Sequence, residues 1–594
     1  MQRVMALLAS AAFLGAACQP PSGPSAAVPS TPMAAADARL FAGHYDAAEA
    51  AYRALANGGD SAAHAHLAVL LDYENRFGEA VSEARAATRT RADSASLARL
   101  TRALDWSEDL AGALAAGKQA VTVLPVDPIA HVYYSEALAD SGYFAAARAE
   151  IRAGEAAARD SHTVAEVERE WSNYYRGKAD PLEELNHLEL AVRAEPGFPE
   201  RSLELARYQY ALNRAPLARS LLEGLRRAHA GDYGVTVAAG DSAFLNRDLA
   251  TAERFYTGAL ALRPNAVAAS LGEAELDVSS KRDFSGAHDL LLGALRANPA
   301  SAELYNYLYH LDLLVLKTEP ATELAQFEAT RPALVEARGQ ALQRANAYRV
   351  AIGLPALTES APLAAAALAH AYFWLFNLGQ AALADVKIHD EDPSLPGAVG
   401  KDSLARAQHF GYTGQRSAEV ISHVYQPSAA IDHWVDTVFH RYPLSDAETS
   451  TAGYGEAQVG ALSIQVFDLG QDAASSQAPI VYPVDGQVGV PAAFLGSEVP
   501  NPAPNARYPS GYPITIQVGS SSTLKITAAE LVGPDGKDLN GYVIDPSGGV
   551  LAANQWAVLP REPLLPGGKY TMLLRGSIDG LSFEKHWSFT AAAT

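Results

Sequence analysis

The sequence predicts a multidomain chain: an all-α array of helical repeats, then a histidine-rich segment of mixed pattern, then an all-β domain. Three observations predict it. One phrase recurs between about residues 37 and 320 with a period of about 34 residues. Six of the 16 histidines, at positions 370, 389, 409, 423, 433 and 440, fall in one short stretch. From about residue 478 the composition turns to Pro, Gly, Val and Thr with period-two alternation. A length of 594 residues leaves room for several such units.

Ahead of these units stands a segment that reads as an export signal. Met1-Gln2-Arg3 carries one positive side chain, Val4 to Leu14 is apolar, and Gly15-Ala16-Ala17 precede Cys18. Residues 1–18 resemble a bacterial lipoprotein signal, in which the cysteine is lipidated and becomes the mature amino terminus; an ordinary secretory signal is the alternative. Gln19 follows the cysteine where Asp would mark retention in the inner membrane. The resemblance therefore implies an outer-membrane lipoprotein facing the periplasm or the cell surface. Residues 19–36 are mostly Pro, Ser and Ala and read as a tether. Charge limits the partners: Lys+Arg 46 against Asp+Glu 67 gives a net −21, which argues against a nucleic-acid partner. Cys18 is the single cysteine, so neither an intrachain disulfide nor a cysteine-based metal site is open to the chain.

The repeats come next, over 37–320. Each has a turn with Gly or Asp, an aromatic or Leu, then small residues at helical spacing. The anchors are Ala48, Ala80, Ala113, Ala146, Glu184, Ala218, Ala252 and Ala287, and Pro125, Pro196, Pro264 and Pro299 end several copies. The array resembles tetratricopeptide (helix-turn-helix) repeats, which implies a superhelix with a concave surface for a protein or peptide partner. A plain spacer is the other reading. Tyr174-Tyr175, Tyr208, Tyr210, Tyr305, Tyr307 and Tyr309 either line that groove or pack between helices, and packing is the commoner role.

Residues 335–470 carry an ordered set. Asn346, Arg349, Gly353, Leu354 and Leu357 precede an Ala-rich stretch from Leu363 to Asn377. Then come His389, Arg406 with Gly411-Tyr412, Glu419, Trp434, His440-Arg441, and Gly453-Tyr454-Gly455. This order resembles the bacterial CAP (SCP-like) superfamily, which implies an α-β-α sandwich with a histidine-lined cleft. Ala418 and Val420 replace the Gly and Asn that flank the family's glutamate, and Thr437 stands where eukaryotic members carry a second one.

What the resemblance implies chemically is simple. His389 and His440, as neutral imidazoles, can bind a divalent metal, zinc or calcium, with positions left open. Glu419 can orient an imidazole, complete the ligand set or take a proton. His433 shares a helix face with His440 if the helix persists. Asp390-Glu391-Asp392 reads as a calcium loop or, more commonly, a solvated one. No nucleophile elbow, phosphate loop, His-Glu-x-x-His or dinucleotide fingerprint is present in the sequence.

The tail, 478–594, alternates in Pro513–Val518, Lys569–Leu574 and Trp587–Thr590, with turns at Asp485-Gly486, Pro534-Asp535-Gly536 and Asp579-Gly580. It resembles the immunoglobulin-like modules of bacterial surface proteins, implying a spacer or adhesive β-sandwich. Two functions stay open. One is an exported, lipid-anchored envelope protein that binds a protein or peptide through its repeats and a cell-wall or lipid ligand, with or without metal, in the CAP-like cleft. The other is a metal-dependent hydrolase of peptide or cell-wall material acting through His389, Glu419 and His440. The missing nucleophile favours binding.

Overall fold

The computed structural model describes residues 31–593, apart from 179, 319–331, 381–386, 424–425, 461 and 475–477. Cys18, the export signal and most of the tether lie outside the described residues. The end of the expected tether is corrected: Pro32–Phe41 is a helix, capped by the Thr31 side chain and started by Pro32. Its Ala36 and Leu40 are buried, so this stretch does have something to bury.

Among the described residues eight helical hairpins follow one another, and each of the eight repeats has its anchor on the second helix. Those second helices are amphipathic. Ala215–Ala228, for example, buries only Ala218, Leu222 and Leu225. The first helices are buried on more than one side: Pro128–Asp140 buries every residue from Ile129 to Ala139. They form the inner layer. The fourth anchor is corrected by one residue, because Ala147 is fully buried and Ala146 only partly. Pro125, Pro196, Pro264 and Pro299 each lie just beyond a second helix and block its continuation. Between the two helices of a hairpin the chain turns through a left-handed residue: Gly43, Asn75, Glu108, Gly142, Asn213, Arg247 and Arg282 all have positive φ.

The next unit has four strands: β1 (Thr358–Glu359), β2 (Ser417–Ser422), β3 (Thr451–Val459) and β4 (Leu462–Gly470), in the order β1-β3-β4-β2. β1 runs parallel to β3 and the other pairings are antiparallel. Alternation divides the sheet. Ala452, Tyr454, Phe467 and Leu469 pack with Ala341, Ala345, Ile431 and Trp434. Ile464 and Val466 pack with Ala367, Leu368 and Ala371 instead. Helices Pro332–Ala351 and Pro427–Val435 thus cover one face and Ala361–Phe376 the other, giving three layers. Gly453 and Gly455 decide how close the last helix comes. A Cβ on Gly453 would lie 2.0 Å from the Ala364 nitrogen, and one on Gly455 2.2 Å from that of Leu368. Only glycine permits that approach.

The opening motif has a structural role. Asn346 exchanges hydrogen bonds with the backbone of Leu357, at 3.0 Å to its oxygen and 2.6 Å from its nitrogen, across the turn at Gly353. Arg349 is buried and donates to the carbonyls of Pro355, Leu444, Asp446 and Thr449.

The tail is a two-sheet β-sandwich. Its strands are β5 (Ile480–Tyr482), β6 (Ala493–Phe494), β7 (Ser510–Gly511), β8 (Ile514–Gln517), β9 (Leu524–Val532), β10 (Gly541–Ile544), β11 (Gln555–Pro560), β12 (Lys569–Ile578) and β13 (Leu581–Thr590). One sheet has the order β10-β11-β8-β5 and the other β13-β12-β9, while β6 and β7 form a separate pair. Ile516 and Trp556 meet Met572, Leu574, Trp587 and Phe589 between them. Asp579 and Gly580 both take positive φ where β12 turns into β13, as a tight hairpin requires.

The three parts pack on one another. His310 stacks on Tyr372 at 4.1 Å, and Arg282 donates to Phe376 O and Asn377 Oδ1, both at 2.9 Å. Arg441 joins the three-layer unit to the sandwich. Fully buried, it donates to Val435 O, Pro513 O and Thr515 Oγ1 and lies over the rings of Tyr482 and Tyr512.

Candidate functional site

Five of the six histidines of the three-layer unit fall into two clusters, and His409 is exposed beside Phe410. In the first, β2 and the Ala361–Phe376 helix bring Glu419 and His370 onto one side of the sheet. His389 reaches them from the preceding loop. Glu419 Oε1 lies 2.9 Å from His389 Nδ1 and 3.6 Å from His370 Nε2, while Arg406 Nη2 donates to Oε2 at 2.5 Å. Arg406 also donates to the backbone oxygen of His389, and Ile388 O is held by Trp374 Nε1 at 2.9 Å. The loop is therefore fixed on both sides of the imidazole.

Electrostatics sets the charge state. Burial pushes Glu419 up, but His370, Arg406 and the His389 hydrogen bond override it and hold the carboxyl at about 2. Asp468 is its partner across the strands, with both carboxyl oxygens buried. Burial, then the Glu419 charge, pushes that carboxyl well above the usual range. Of His370, His389, Arg406 and Glu419, only His389 is open, with 44% of its side chain exposed. An imidazole fixed at Nδ1 by a carboxylate presents Nε2 for proton transfer or for binding a ligand.

Glu391 corrects the calcium or solvated-loop reading of 390–392. It is 2% exposed and binds His370 Nδ1 at 2.9 Å and the backbone nitrogens of Val399 and Gly400.

His440 belongs to the second cluster. Its Nδ1 lies 2.9 Å from Glu498 Oε1, and the same carboxylate accepts from the backbone nitrogens of Val438, Phe439 and His440 at 2.8, 2.6 and 3.1 Å. Glu498 comes from the segment between β6 and β7, outside the three-layer unit. The helix expected to join His433 to His440 ends at Val435. His433 nonetheless lies beside His440 and His423, and burial followed by the neighbouring His440 lowers it to about 4. Among the described residues no group of three or more His, Cys, Asp or Glu is placed to hold a metal ion.

A third feature is a cavity of about 740 Å³ between the inner helices of the repeats and the later units. Trp106, Asp140, Arg169 and Tyr208 form its repeat wall, and His433, Leu495 and Ser497 face them. Of the tyrosines considered for a groove, Tyr208 lines it. Tyr307 instead binds Glu275 at 2.7 Å, and Tyr210 binds Asp248 at 2.8 Å. The cavity rests on a buried ionic network absent from the sequence reading: Arg169 with Glu136 and Glu166, and Arg201 with Glu166 at 2.6 Å. Its sequence signal is faint, being scattered charges at otherwise apolar positions of the first helices.

No protein-family model and no curated protein matches this chain. Among solved structures, the APC/C hetero-tetramer Cut9-Hcn1 is similar at 15% identity, over 51% of this chain and 60% of that one, with a TM-score of 0.32. This chain thus spans less than two thirds of that structure's length. A tetratricopeptide repeat protein from Parabacteroides merdae is similar at 10% identity, over 41% of this chain and 96% of that one, with a TM-score of 0.25. PilF of Pseudomonas aeruginosa is similar at 18% identity, over 37% and 98% respectively, also at 0.25.

Proposed function

We propose that this chain is an exported, lipid-anchored envelope protein that holds a peptide segment between its repeats and its two later units. The observation that carries this reading is the cavity, which is bounded by the inner helices on one side and by His433 and Leu495 on the other. Concave surfaces of helical repeats suit extended partners, and a rim of aromatic and charged groups suits a peptide. We assign the 335–470 unit as CAP-like from its motif order and three layers, and the sandwich as immunoglobulin-like from its four- and three-stranded sheets.

Peptide capture by the mature chain, read by mass spectrometry, tests this. Bound peptides that are lost in both Trp106→Ala and Leu495→Arg support it, and capture indifferent to both contradicts it. Incorporation of labelled palmitate that disappears in Cys18→Ser tests the anchor.

A second reading, hydrolysis, has one observation in its favour: the open His389 imidazole backed by Glu419. The zinc or calcium that the resemblance implies finds no three-ligand set among the described residues. Release of fragments from peptidoglycan by the wild type, abolished in His389→Ala, would favour hydrolysis over simple binding.

A further inference from the structure

Five acids, Asp105, Glu108, Glu136, Asp140 and Glu204, line the cavity beside three arginines, of which Arg207 donates to Ser242 Oγ at 3.1 Å. Arg169 is taken up by Glu136, at 2.7 and 2.8 Å, and Arg176 by Glu184 at 2.7 Å. Asp105, Glu108 and Asp140 also line the cavity, and none of them forms an ion pair among the described residues. Asp105 stands out, being 4% exposed with no hydrogen-bond partner on either carboxylate oxygen. A buried carboxylate left without a partner is costly, so it marks a place where something is missing. Asp140 also lines the cavity and is itself exposed. Burial and the neighbouring Asp140 push the Asp105 carboxyl well above its usual range. Trp106 and Tyr208 line the same wall, and the Trp106 ring already carries the Arg102 guanidinium at 4.0 Å, a cation contact of the kind this wall accepts.

We propose that Asp105, Glu108 and Asp140 form a subsite for the ammonium or guanidinium of a basic peptide side chain. This rests on the peptide-binding reading and names its specificity. A lysine or arginine tip would pair with the acids while its stem lies along Trp106, and an acidic peptide would be repelled.

The test is calorimetric titration of the mature chain with three blocked tetrapeptides, of lysine, norleucine and glutamate, in low salt. The lysine peptide is expected to bind at least about tenfold more tightly than the norleucine one. That preference is expected to vanish in Asp105→Asn and to weaken in Glu108→Gln. Glu108 has an exposed side chain, so its variant keeps the test valid if Asp105→Asn fails to fold. Equal binding of lysine and norleucine peptides would overturn the cation subsite while sparing the peptide groove. Absence of binding by all three would overturn both. A lysine preference unchanged in the variants would place the cation elsewhere and overturn the assignment.

Discussion

His389 and His440 bear the same kind of support, a carboxylate 2.9 Å from Nδ1, but its source differs. Glu419 belongs to the same unit as His389 and lies on its sheet. Glu498 reaches His440 from the segment between β6 and β7, in the part of the chain that builds the sandwich. The first pair is a device of one domain, and the second is a joint between two. A histidine motif within one domain therefore says little about which group completes it.

The comparison can be broken hardest by removing a charge from each side. Arg406→Ala leaves Glu419 without its guanidinium, and Glu498→Ala leaves three backbone nitrogens and His440 without an acceptor. Each is expected to cost about 3–5 kcal/mol in denaturant unfolding. Arg406→Ala should act within the three-layer unit, whereas Glu498→Ala should also loosen the sandwich, seen as faster hydrogen exchange in the segment between β6 and β7. A loss confined to one unit in both variants would erase the distinction.

Gly453→Ala is expected to cost about 1–3 kcal/mol, because its Cβ would meet the backbone of Ala364. Gly197→Ala, with open space around its Cβ and no positive φ, serves as the control and is expected to cost far less. Comparable effects in the two would mean that helix packing on β3 is not what requires the glycine.

Acid should sharpen the comparison further. The folded carboxyl of Glu419 is held at about 2, below its ordinary 4.5. Its stabilising contribution is complete above 4.5 and is lost as pH falls towards 2. Glu419→Gln is expected to flatten the acid limb of the melting-temperature profile, and an unchanged limb would contradict the assignment.

The smallest effect lies in the repeats, where the Glu150 hydrogen bond, opposed by burial, raises His131 above its ordinary value. That contribution is complete below 6.5 and fades as pH rises through the raised value. His131→Gln is expected to remove a shallow alkaline decline in melting temperature.

The helical array was legible because small residues recur wherever two helices must approach, as Ala80, Ala113 and Ala252 do. The turn signal was only half legible. Gly43 and Gly142 advertise a left-handed turn, but Glu108 and Arg247 adopt the same conformation without any compositional mark. In the three-layer unit, Asn346, Arg349 and the paired glycines were readable because each meets a local backbone demand. His389, Glu419 and Arg406 were read in sequence order and do meet in space. His370, Glu391 and Asp468 were missed as members of the cluster, since burial rather than spacing brings them there. Glu498 was invisible for a different reason, being an ordinary glutamate in a proline-rich loop of another domain. The cavity was equally hidden, because its walls come from three parts of the chain.

The claim that His389 and His440 sit in separately supported environments can be tested by imidazole NMR of histidine-labelled protein, comparing wild type with Glu498→Gln. The resonances of His440, with those of neighbouring His433, are expected to shift while those of His389 keep their position. Equal displacement of His389 would contradict the account and place both histidines in one shared cleft.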